Sequence, residues 1–291
     1  MDKKEILTHL GAKSVSPTSY DKSLLEKVPR SINRVQYQIQ GNEFVGTDLW
    51  HHYEVSCLTK QGLPISGLMK ISIPADSQHI VESKSLKLYF NSFNMERLAS
   101  TKALSIKMLK ELVQSDLSKL LNAKVKSQFF DIDTETSNSA LTEFLCIDTF
   151  DGAETLSFTD FHENPSLLAT KQSTAKTQRI MSHLLRSNCK VTHQPDWGSV
   201  YIYIEGDKHI DELSLLQYIV SVRNENHFHE EICEMIYIRL LRTLTPSKLM
   251  VSCLYTRRGG IDICPIRATH KDLLPDIFVD INKLYCLPSR M

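Results

Sequence analysis

The feature that most constrains how this chain can fold is an echo between its two halves. Aligning the string from Glu82 to Tyr89 with the string from Asp211 to Tyr218 matches Ser85 with Ser214, Leu86 with Leu215 and Tyr89 with Tyr218. Three residues further on, Ser92 meets Ser221. Both strings stand where the first long helix of a half begins, which is the signature of a duplicated unit rather than of two unrelated domains.

The elements around the two strings correspond as well. Residues 48 to 58 alternate, with Tyr53, Val55 and Cys57 on one face, and Met69, Ile71 and Ile73 repeat the alternation before Pro74, so two neighbouring strands are expected. Leu104, Met108, Leu109, Leu112, Val113, Leu117, Leu120 and Leu121 then follow helical spacing, and 124 to 130 returns to a strand. In the second half Val200, Ile202 and Ile204 alternate, 210 to 222 and 229 to 243 look helical, and 249 to 256 with 260 to 266 form a closing hairpin. Strands, then two helices, then strands make an α+β chain of two modules. The stretch 131 to 178 is rich in Ser, Thr, Asp and Glu and reads as a linker. The modules are therefore expected at 1–160 and 161–291, within reach of a 291-residue chain.

Charge and cysteine usage exclude several classes. Lys plus Arg and Asp plus Glu both total 34, so no net field favours direct binding of nucleic acid. No apolar stretch reaches the roughly 20 residues of a membrane span, and the start lacks a signal-peptide core, so a cytoplasmic location is expected. Seven cysteines, with no CxxC pair, argue against a disulfide framework and leave room for a working thiolate.

Three segments carry candidate chemistry. The polar segment 187 to 198 reads as a loop in which Cys189 is a possible nucleophile, with Lys190 and His193 adding positive potential and Asp196 close by. The bland alternative is a half-buried structural thiol. Asn226 to Glu231 lies where one helix gives way to the next, so its carboxylates suit either helix capping or recognition of ligand N–H groups. Cys189, His193, His227 and His229 could also supply zinc ligands, at irregular spacing. The string 81 to 94 is the third segment, and could equally be an exposed approach to a helix.

Together these segments resemble one family, the QueF-type nitrile reductases in their long, two-module form. The resemblance rests on ESKSLKLY at 82 to 89, on Cys189 followed by Asp196, on Phe228-His229-Glu230, and on Arg258-Gly259-Gly260, in that order along the chain. It implies tandem tunnelling-fold (T-fold) modules, antiparallel sheets each backed by two helices, associated as a homodimer or larger. It implies NADPH-dependent reduction of the nitrile of 7-cyano-7-deazaguanine to an aminomethyl group, in queuosine biosynthesis, with two NADPH consumed and no metal.

The same resemblance assigns roles. Cys189 would form a thioimide, Asp196 would donate a proton from a carboxyl group raised by burial, and His229 would serve the later stage. Val81, Glu82, Ser83, His229 and Glu230 would hold the substrate across the contact between modules, and Ser83, Lys84, Arg258 and Gly259 the cofactor. No GxGxxG follows a strand, so a Rossmann site is not expected. A zinc-dependent cyclohydrolase of related fold would need a metal cluster. A non-catalytic purine-binding module would have no use for Cys189, Asp196 and His229.

Overall fold

The computed structural model describes residues 17–41, 43–138 and 140–286. The beginning of the N-terminal segment, to which the sequence gives no role, lies outside the described residues. The first half runs β1 (Lys27–Pro29), α1 (Ser31–Gln36), β2 (Val45–Leu58), β3 (Pro64–Pro74), β4 (His79–Val81), α2 (Ser83–Asn91), α3 (Lys102–Leu121) and β5 (Lys126–Asp131). The second runs β6 (Leu145–Cys146), β7 (Thr170–Gln172), β8 (Thr177–Cys189), β9 (Pro195–Glu205), β10 (Lys208–Ile210), α4 (Glu212–Ser221), β11 (Asn226–His227), α5 (His229–Leu244), β12 (Lys248–Tyr255), β13 (Ile261–Ala268) and α6 (Asp276–Val279).

The long strands join in the order β11-β8-β9-β12-β13-β2-β3-β5, with β6 also pairing with β8. All contacts between the long strands are antiparallel, while β6 and β11 lie parallel to β8. The sheet does not divide where the halves do. β13 pairs with β2 along its whole length, Ile261 opposite His52 through Ala268 opposite Val45, so one sheet crosses both halves through this seam.

The echo seen in the sequence extends to individual hydrogen bonds. Glu82 caps α2 by accepting from the Ser85 amide at 2.7 Å, and Asp211 caps α4 by accepting from the Ser214 amide at 2.9 Å. Ser85 Oγ accepts from the Glu26 amide and Ser214 Oγ from the Ala169 amide, both at 3.0 Å. Ser92 and Ser221 donate back to the carbonyls of Tyr89 and Tyr218, at 2.6 and 2.7 Å. Each half also breaks its first long strand with a bulge, between His52 and Val55 in β2 and between Ser182 and Leu185 in β8.

Each half completes the core of the other. The cluster under α2 and α3, built on Val55, Met69, Tyr89, Leu109 and Leu117, takes in Ile261 and Ile263 from β13. The cluster around α5 takes in Tyr37 and Ile39 from the first half. Leu104 and Met108, part of the helical stripe, are exposed on α3, whose buried face runs through Ser105, Leu109, Val113 and Leu117. The other face of the sheet is covered by Leu141, Ile277 and Phe278. There the Lys70 ammonium, 1% exposed, donates to the carbonyls of Ile277, Asp280 and Lys283.

A buried ionic array also ties the halves together. Arg267, fully buried on β13, contacts Asp48 of β2 at 2.7 Å and Glu234 of α5 at 2.8 Å. Arg30 meets the same Asp48, and Arg34 the same Glu234 at 2.7 Å. Each charge has an opposite partner and hydrogen bonds, the condition under which charges survive burial. The linker residues 131 to 178 carry short ordered pieces, of which β6 and β7 pair with β8 and β10 of the second half.

Candidate active site

Cys189 is the last residue of β8 and Asp196 the second of β9, so the segment read as a loop is a hairpin with a turn at 190 to 194. The correction has a local cause: the bulge at Ser182 breaks the alternation that would have marked β8. The turn is closed by the Cys189 amide donating to the Gln194 carbonyl at 2.8 Å. β11 runs parallel to β8 with His227 opposite Cys189, which delivers the start of α5 beside the thiol.

At that start Glu231 accepts from the Phe228 amide at 3.1 Å and from the Lys190 ammonium at 2.7 Å. The positive potential expected from Lys190 is thus met by a carboxylate. His193 binds Asn226 Oδ1 at 2.7 Å and His227 binds Glu231 at 3.1 Å, so the residues of the zinc alternative are engaged separately. Burial lowers the His227 pKa, but Glu225 and Glu231 outweigh it and raise the value overall. His51, Asp262 and Cys264 bring ligand-type atoms within 4.8 Å of one another elsewhere, and Tyr53 and His51 both hydrogen-bond that Asp262.

His229 stacks on Tyr255, centroids 3.8 Å apart, and places Nε2 3.3 Å from Asp196. Arg258 reaches the other Asp196 oxygen at 2.6 Å, and also meets Thr192 and Gln194. It is aimed by the β12–β13 turn, where Gly259 and Gly260 take φ of 59° and 79°. Two successive left-handed residues favour glycine, and at Gly260 a Cβ would stand 2.5 Å from Glu54 Cδ. Burial pushes the Asp196 pKa up, yet the contacts from His229 and Arg258 prevail and hold it below the usual range. The expectation of a carboxyl raised by burial is corrected here, because His229 and Arg258, the two partners that lower it, come from distant parts of the chain.

Glu230, 2% exposed, behaves in the opposite way. Burial, reinforced by the charge of Asp48, pushes its carboxyl up to about 8, and Oε1 has no hydrogen-bond partner among the described residues. Glu82 is also buried and raised, by desolvation first, although the amides of Lys84 and Ser85 oppose it.

These groups converge on one cavity of about 230 Å³ above the β13–β2 seam. Its wall contains Cys189, Asp196, His229, Glu230, Arg258 and Gly259 from the second half, and Val81, Glu82, Ser83 and Lys84 from the first. It therefore gathers all ten residues to which the family resemblance assigns roles, while Lys190 and His193 stay off its wall. It adds Lys87, His227 and Phe228, which lie inside the strings already noted, and Trp50, which the sequence did not single out.

A thiol, an ion-paired acid and a histidine lining one cavity suit an enzyme that works through a thiol, and the comparisons give the class. The family described as nitrile reductase, 7-cyano-7-deazaguanine-reductase N-term, matches residues 16–129, and the family described as QueF-like protein matches 195–273. An NADPH-dependent 7-cyano-7-deazaguanine reductase of Coxiella burnetii is 41% identical over 266 residues, 90% of this chain and 92% of the relative. Its counterpart in Acinetobacter baylyi is 42% identical over 272 residues, covering 92% and 95%. The chain belongs to the family of NADPH-dependent 7-cyano-7-deazaguanine reductases. A solved structure, the archaeosine synthase QueF-Like in the apo form, matches 33% of this chain and 95% of its own at a TM-score of 0.31 and 13% identity, too low to assign a fold.

Proposed function

We propose that this chain reduces the nitrile of 7-cyano-7-deazaguanine to an aminomethyl group with NADPH, through a covalent bond to Cys189. The observation that carries the reading is the single cavity in which Cys189, Asp196 and His229 face Glu82 across the seam, in a chain of this family. A nitrile carbon is a modest electrophile, and a thiol adduct divides its reduction into easier steps. As the Cys189 sulfur bonds to that carbon, its proton passes to Asp196 and from there to the nitrile nitrogen, while one C–N π bond breaks. Because Asp196 is held ionised by His229 and Arg258, it can first accept this proton and then return it.

NADPH supplies hydride to the carbon, twice in each turnover. The cationic side of the cavity suits its phosphates: Lys84 and Arg258 offer charge, while Ser83 and Gly259 leave room for close approach. After the first reduction the C–S bond breaks, Cys189 is regenerated and an imine remains. His229 protonates the nitrogen at the second stage. Glu230, buried and with an unpaired oxygen, accepts from the ring N–H groups, and Glu82, Val81 and Ser83 close the other side.

The same reading takes the halves, divided within the linker ahead of β6, as tandem tunnelling-fold modules in a cytosolic homodimer or larger assembly. No described helix is long and apolar enough to cross a membrane, and the balanced charge favours a free base over RNA as the substrate. Intact mass spectrometry with 7-cyano-7-deazaguanine and no NADPH tests the reading. An adduct of the nitrile's mass, absent in Cys189→Ala and discharged by NADPH, is expected. Folded wild-type protein that forms no adduct and consumes no NADPH would overturn it.

A further inference from the structure

The imidazole of His229 has to keep a fixed direction to move a proton, and the usual means of aiming it is missing. A working histidine is normally oriented by a hydrogen bond at its second ring nitrogen. Here Nε2 faces Asp196 at 3.3 Å, while Nδ1 is buried and meets no partner among the described residues. What the ring has instead is Tyr255, with centroids 3.8 Å apart and planes 15° from parallel. Tyr255 closes β12 and is fully buried. Its hydroxyl has no hydrogen-bond partner among the described residues, so it is the ring that meets His229.

The first half holds the same two positions and fills them differently. Tyr255 pairs with Gly198 and Asp131 with Gly67. These glycines pair in turn with Leu185 and Val55, the first paired residues after the two bulges. Lys102 opens α3 as His229 opens α5. In the first half the two positions form an exposed ion pair, Lys102 to Asp131 at 2.7 Å. In the second they form a largely buried stack next to Asp196. The fold brings the positions together without demanding an aromatic ring, and the ring stands in the half that carries Cys189 and Asp196.

We propose that Tyr255 is a positioning residue for the reduction: its ring face fixes the His229 imidazole so that Nε2 addresses Asp196 and the cavity. The inference rests on the reading of His229 as the proton donor to the substrate nitrogen. Tyr255 is not on the cavity wall and acts through the imidazole. A proton donor tolerates little displacement, since a shift of about 1 Å can cost on the order of 10²-fold in rate.

A double-mutant cycle in the full chain tests it. Tyr255→Phe keeps the ring and should leave kcat close to that of wild type. Tyr255→Leu removes the ring and should lower kcat at least about tenfold, with the KM for NADPH unchanged. On a His229→Ala background Tyr255→Leu should cost nothing further, because the group it positions is gone. A Phe variant as slow as the Leu variant, a His229→Ala protein of full kcat, or an equal loss on both backgrounds overturns the proposal. Should Tyr255→Leu fail to fold, NMR of protein labelled with 13C-histidine reads the stack directly. Among the 11 histidines, the His229 ring protons, assigned with His229→Ala, should lie upfield in wild type and in Tyr255→Phe alike, as protons above an aromatic face do. Ring protons at ordinary positions sink the inference. If wild type forms the Cys189 adduct while the cycle is additive, this inference alone falls. If no adduct forms, the underlying reading falls with it.

Discussion

Glu230→Gln should stabilise the ligand-free protein while impairing its function, by an amount that grows with pH. The carboxyl stands at about 8 in the folded chain against an ordinary 4.5, through burial and the nearby charge of Asp48. A carboxyl raised in the folded state leaves stability untouched below 4.5, where both states are protonated. The folded state loses stability as pH rises through that window, because the unfolded chain ionises first. Each pH unit in the window costs about 1.36 kcal/mol, so the penalty is on the order of 3 kcal/mol at pH 7 and 5 kcal/mol above pH 8. Gln keeps the shape and never ionises, so it escapes the penalty. Urea unfolding of ligand-free wild type and variant at pH 5 and pH 9 reads the difference directly. The variant should be within about 1 kcal/mol of wild type at pH 5 and several kcal/mol more stable at pH 9. Equal effects at the two pH values, or a variant less stable at pH 9, would refute the argument that Glu230 is buried without compensation. The same linkage makes nitrile binding tighten from pH 6 to 8, since ligand N–H groups favour the ionised form.

Further outcomes follow from other contacts. Arg258→Ala removes the guanidinium, one of the two contacts that hold Asp196 low, so the acid limb of adduct formation against pH should move upward, and the KM for NADPH should rise. Rapid-quench mass spectrometry across pH 4 to 8 checks the first effect. Arg267→Ala leaves Asp48 and Glu234 short of a buried partner and should cost about 3 to 5 kcal/mol in urea unfolding. Lys70→Met removes the donor to three carbonyls between Ile277 and Lys283, so hydrogen exchange should quicken in that segment first.

What the sequence made legible was local. The alternation of Met69, Ile71 and Ile73 and the helical spacing from Leu109 to Leu121 depend on near neighbours, and those elements lie where they were expected. β8 escaped notice because its bulge falls in mid-strand, next to a polar linker. The seam was not legible, since Asp262 and His51 pair across more than 200 residues and no periodicity announces such a register. The ten site residues were reached through a family resemblance, and the cavity brings them together. The direction of the Asp196 pKa depends on Arg258, 62 residues away, and so could be read only from geometry.

Housing both copies of a repeat in one chain frees each from having to do everything. At the end of β2 the Thr59 amide meets the Leu63 carbonyl at 3.0 Å, just as the Cys189 amide meets the Gln194 carbonyl at the end of β8, so Thr59 occupies in the other copy the place of Cys189, the proposed nucleophile. An assembly of identical single modules would have to carry thiol and carboxylate cap on every surface, and any substitution would strike all sites at once. Here the two surfaces can drift apart, one keeping the thiol and the other the Glu82 carboxylate, so that one cavity draws on both.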